Sequence, residues 1–170
     1  MIRPANMSPA SPGRGLVVRD GVAVINLLGT YGLLPFESAF GAIDRLVEEA
    51  RRETPVIVVD FHAEATSEKV ALAHYLDGRV TAVLGTHTHV QTNDARVLAG
   101  GTAAITDAGM TGPHDSVIGS VAEGAIRRFV TGMPVRLEPA TGDVRIEGAL
   151  VECGDDGRAT ACTAIRVAVP

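Results

Sequence analysis

With 170 residues, 46% of them hydrophobic and 21% charged, the chain can bury a single globular core, which excludes a disordered protein. Its formal net charge of -5 lacks the basic footprint of a protein built to hold a long nucleic acid, yet leaves a small anionic substrate open, because a metal ion can reverse the local field. There is no run of about 18 apolar residues to span a bilayer and no basic N-terminal segment leading into an apolar one, so no membrane partner and a cytoplasmic location are expected.

Residues 1–15 are rich in Pro, Gly and Ser without periodicity and read as an irregular loop. From Val17 to Gly29 the apolar and β-branched residues suggest a hairpin or strand. Phe36, Phe40, Ile43, Leu46, Val47 and Ala50 then recur at helical spacing, which predicts a helix over 36–52. The short apolar run at 55–60 has the character of a strand covered on both faces. Helix-start chemistry at 63–68 leads to a stop at Asp77-Gly78, and a second apolar run at 80–84 completes a βαβ unit with parallel strands.

Beyond Asn93-Asp94 the pattern predicts short strands at 95–98 and 102–106, a Gly-rich loop and a helical stretch at 121–130. Alternating residues at 144–152 and 160–169 predict two antiparallel strands joined at Asp155-Asp156-Gly157. Cys153 and Cys162 are too widely spaced for a CxxC pair and read as two buried free thiols.

Three of the five histidines follow the two apolar strands directly: His62 after the first, His87 and His89 after the second. Parallel strands put both ends on one edge of the sheet, the edge where open α/β sheets hold ligands. In extended chain an H-x-H pair points both rings the same way, and neutral imidazole suits Zn, Fe, Ni, Cu or Mn. Polar loop histidines without a metal are the plain alternative, and three imidazoles would equally fit a mononuclear zinc site, so the spacing does not choose a reaction. His74 falls within the second helix as a packing or surface residue, and His114 lies in the Gly-rich loop. Asp107 could orient a ligand His or serve a turn, while Glu64 and Glu68 read as a solvated helix start.

The strings VDFHAEATSEK (59–69), GTHTHVQ (85–91) and TDAGMTGPHDSVIG (106–119) resemble the YmdB-like branch of the calcineurin-like metallophosphoesterases, from about Ile2 to the C-terminus. The resemblance implies an α/β fold, the C-terminal part of a sandwich of two mixed β-sheets flanked by helices, with residues 1–170 as one partial domain. It implies that His62 and His87 help bind one metal of a dinuclear iron or manganese centre and His89 the other. The implied substrates are small phosphodiesters such as 2',3'-cyclic nucleotides.

A complete family member opens with Gly-Asp, Gly-Glu-Asn and Gly-Asn-His motifs, which supply an Asp, a bridging Glu, an Asn ligand and the catalytic His. Here the opening Ile2-Arg-Pro-Ala-Asn6 resembles a loop that follows those motifs, so no catalytic residue is expected in this chain and its centre is expected to be incomplete. The competing reading is an inactive metal-binding or interaction module derived from the same family. An apolar sheet edge and association into homo-oligomers are also expected.

Overall fold

A computed structural model describes residues 1–169. Its elements in chain order are β1 (Leu16–Arg19), β2 (Val22–Leu28), α1 (Ala39–Arg51), β3 (Val56–His62), α2 (Thr66–Tyr75), β4 (Ala82–Thr86), β5 (Arg96–Val97), β6 (Ala103–Ile105), β7 (Gly112–Pro113), α3 (Ala122–Thr131), β8 (Val144–Cys153) and β9 (Ala159–Ala168). They form a six-stranded sheet of order β1-β2-β3-β4-β6-β5 and a three-stranded sheet of order β7-β8-β9. In the larger sheet β2, β3, β4 and β6 run parallel, with β1 and β5 antiparallel at the edges; the smaller sheet is antiparallel.

The β1–β2 hairpin turns on Asp20 and Gly21, both at positive φ (51° and 78°), the conformation a two-residue turn needs to match strand twist. α1 begins at Ser38, whose hydroxyl accepts from the Phe40 amide, two residues inside the predicted start. Its Ala42, Ile43, Leu46, Val47 and Ala50 bury one sheet face together with Ile25 and Leu27 of β2 and Ile57, Val59 and Phe61 of β3. The other face of β3 carries Val58, Asp60 and His62, which are only half-buried. The apolar run at 55–60 is thus covered closely on one face, because the smaller sheet packs on the far side of the larger one, over Ala82, Leu84, Val97 and Ala103.

Residues 1–15 run through turns and bends with an isolated bridge between Ile2 and Arg14, and within them Asn6 is fully buried. Its side-chain amide donates to the Leu28 and Glu37 carbonyls and its oxygen accepts from the Leu28 amide. That one side chain fixes the end of β2. The cysteines are free, yet Cys153 is exposed, correcting the expectation of two buried thiols: it falls at the bulged end of β8, opposite Ala159, where the strand leaves the core.

Register then defines the edge that matters. Leu28 pairs with His62 and His62 with Thr86, so β2, β3 and β4 end side by side. Gly85 permits a close approach at this edge, since a Cβ there would lie 2.0 Å from the Thr106 carbonyl oxygen. The close passage brings Asp107 in beneath the chain that follows β4.

Candidate metal centre

His62 is the last residue of β3, and Thr86, beside it on β4, lies 3.0 Å from His62 Nδ1 through its hydroxyl. With Nδ1–H donating to that hydroxyl, the Nε2 lone pair of His62 is turned outward. His87 Nδ1 lies 3.1 Å from it, the ring centroids being 4.9 Å apart at an interplanar angle of 74°. The remaining nitrogen of His87, Nε2, is paired with the Glu64 carboxylate. Burial foremost, and then the neighbouring His87, hold the His62 pKa below the ordinary imidazole value of 6.5, so this ring is neutral near pH 7.

This donor pair fits one metal ion. Two metal–nitrogen bonds of about 2.0–2.1 Å at angles between square and tetrahedral place the nitrogens roughly 2.9–3.4 Å apart, which brackets the observed separation. Thr86 and Glu64 sit where the outer groups that orient ligand histidines belong. His89 lies exposed two residues on, and among the described residues no group of three or more His, Cys, Asp or Glu is arranged to hold a metal. The structure therefore brings two of the three predicted imidazoles together.

The loop that carries His87 and His89 is strained and braced. Both have positive φ, 135° and 63°, a region that disfavours residues with a side chain. Between them, the Thr88 amide donates to Asp107 Oδ2 at 2.8 Å. Asp107 also accepts from the Gly109 amide and from Lys69 Nζ at 3.2 Å, and both charges are buried. Asp107 thus acts on the histidines through the backbone of Thr88, with no bond to an imidazole.

Two acidic residues that read as a solvated helix start have other roles. Glu64 is exposed but bonded to His87, and Glu68 is buried, its carboxylate accepting from the Thr30 amide at 2.8 Å. α2 consequently braces the ends of β2 and β6 through adjacent Glu68 and Lys69. Asn26 and Asp60, on the half-buried face next to His62, share a 2.6 Å hydrogen bond that sequence reading missed; the signal was an amide in an otherwise apolar strand. His74 is exposed on α2. His114 is directed to the Met110 carbonyl at 3.1 Å, near the buried Glu147 that pairs with Arg166.

A family described as YmdB-like protein matches residues 1–165 of the chain. The chain belongs to the YmdB-like family. It is 50% identical over 159 residues to a 2',3'-cyclic-nucleotide 2'-phosphodiesterase of Bacillus subtilis (strain 168), the match covering 91% of this chain and 60% of that protein. Among solved structures, a hypothetical protein of Thermus thermophilus superposes with a TM-score of 0.90 at 42% identity, covering 99% of this chain and 68% of the other. A Mycoplasma pneumoniae protein described as a novel phosphatase superposes at 0.85 and 36% identity, covering 98% and 63%. This YmdB-like chain spans about 60% of the length of the Bacillus relative. Among its described residues no helix is long and apolar enough to cross a membrane.

Proposed function

We propose that this YmdB-like chain contributes the imidazole side of a dinuclear centre in a phosphodiesterase that acts on small phosphodiesters, 2',3'-cyclic nucleotides among them. The observation that carries this reading is the pairing of His62 Nε2 with His87 Nδ1 at 3.1 Å, each ring fixed at its other nitrogen by Thr86 or Glu64. On this reading residues 1–170 are one partial domain, and the remaining ligands and the catalytic His belong to the part of the relatives that this chain does not span. The 50% identity to a cyclic-nucleotide diesterase supports the choice of substrate class.

His62 and His87 would hold one ion and His89 a second, with iron or manganese as the metals and the cytoplasm as the location. When bound, two such ions would supply Lewis-acid stabilisation of phosphoryl charge and a water of lowered pKa. The protein's own contribution is positional. A Thr86 hydroxyl that accepts from His62 Nδ1–H would leave Nε2 free, and Glu64, which can only accept when ionised, would leave His87 with Nδ1 available. Asp107 keeps the strained loop from relaxing and separating the two rings.

The reading is tested on the chain itself by titrating cobalt(II) or manganese(II) against it and against Glu64→Gln. Loss of an orienting carboxylate lowers metal affinity by about 10–100-fold where the histidine it holds is a ligand. Glu64 is exposed, so its substitution leaves the fold intact. Unchanged affinity in Glu64→Gln, with the wild-type chain binding metal, would remove His87 from the centre.

A further inference from the structure

The loop at 87–92 is held from two sides. On the side of the larger sheet, the Thr88 amide donates to the Asp107 carboxylate and the Thr92 amide to the Asp107 carbonyl at 3.1 Å. On the other side, Gln91 is the residue of this loop that bonds to the smaller sheet, among the described residues. Its side-chain amide nitrogen lies 2.9 Å from the Ile165 carbonyl oxygen, 3.0 Å from that of Gly148 and 3.3 Å from that of Ala108. An amide nitrogen carries two hydrogens, so the two shorter contacts take them and Ala108 holds the weaker, shared position.

Gly148 and Ile165 are register partners on β8 and β9. One side chain thus bonds both strands of the hairpin at a single rung, 57 and 74 residues further along the chain. The space around it is tight. A Cβ on Gly109, which stands at φ 89°, would lie 2.9 Å from Gln91 Cβ and 2.2 Å from Glu147 Oε2. The histidine loop, the chain after β6 and strand β8 therefore meet at Gln91, Gly109 and Glu147. A loop with His87 and His89 at positive φ keeps that shape only where its surroundings over-determine it. Asp107 grips it between the two histidines, and Gln91 grips it two residues beyond His89.

We propose that Gln91 is a positioning residue for the candidate metal centre, the group through which the β8–β9 hairpin fixes the loop that carries His87 and His89. The inference rests on the metal reading above and assigns the hairpin a part in it. Gln91 acts by donating hydrogen bonds to the hairpin, so a side chain of the same length that cannot donate fails to replace it.

Amide hydrogen exchange and cobalt(II) titration of the full chain test this on Gln91→Met and Gln91→Glu, which keep the length of the side chain and lose its donors. In both variants the Thr88 and Thr92 amides exchange roughly tenfold faster or more relative to the Val59 amide in the core of β3. Cobalt(II) binds roughly tenfold more weakly to both, as after loss of an outer-shell partner. Thr54→Ala is the control for a merely structural loss: its hydroxyl is buried against the Gly21 carbonyl at the other end of the sheet, and its removal changes neither the exchange ratio nor the cobalt affinity. An unchanged exchange ratio in Gln91→Met overturns the proposal, whether or not metal binds. So does a loosened loop that leaves cobalt affinity at the wild-type value, or a Thr54→Ala variant that weakens cobalt binding as much. A wild-type chain that takes up no cobalt sinks the metal reading and with it the positioning role, and faster exchange in Gln91→Met then shows a structural tie alone.

Discussion

Supplied with manganese or iron, the 170-residue chain should hydrolyse a 2',3'-cyclic nucleotide poorly or not at all, whereas a chimera carrying the N-terminal part of the Bacillus subtilis relative should turn it over. The expectation follows from counting ligands. A dinuclear centre needs a carboxylate that bridges two ions, and this chain offers two paired imidazoles and an exposed third. In the chimera, His62→Ala and His89→Ala should each lower turnover by more than about a hundredfold, since loss of an outer-shell partner alone costs about 10–100-fold. Steady-state kinetics with metal analysis on each variant gives the result. Full activity in the short chain would show that the ligand set is wrong, and an inactive but folded, metal-loaded chimera would favour an interaction module.

The second large effect concerns the buried pair beneath the histidine loop. Asp107 and Lys69 have side chains 1% and 4% exposed, so Asp107→Ala strands a lysine charge in the interior and frees the Thr88 and Gly109 amides. Breaking one side of a buried pair costs about 3–5 kcal/mol. For a chain of this length that lowers the melting temperature by roughly 6–20 °C. Lys69→Met should cost less, because Asp107 keeps its two backbone donors. Thermal unfolding of both variants decides the matter. A shift under about 2 °C in Asp107→Ala would mean that the pair is not closed from water.

Much of this was legible in the chain. The βαβ unit, the C-terminal hairpin and the placement of His62 and His87 at and just beyond the ends of neighbouring strands followed from the apolar runs. What stayed hidden was the work of short polar side chains over long separations. Nothing local in Glu68-Lys69 distinguishes a solvated helix start from a brace, because the partners, Thr30 and Asp107, are 38 residues away on either side. Asn6 escaped notice for the same reason, its partners being Leu28 and Glu37. The two-residue strand β7 carries no periodicity at all; it exists because Gly112 and Pro113 lie against Arg145 and Val144. Residues at positive φ such as His87 and His89 run against local preference, and such conflicts between local and global structure concentrate at functional sites.

The central claim is that His62 and His87 share one ion, and imidazole NMR reads it directly. Adding small amounts of paramagnetic manganese(II) to the chain labelled with nitrogen-15 should broaden the ring signals of His62 and His87 together, ahead of those of His74 and His114, and His62→Ala should abolish the early broadening of His87. If His62 and His87 broaden independently, or no sooner than the exposed His74, the two rings do not form a metal site.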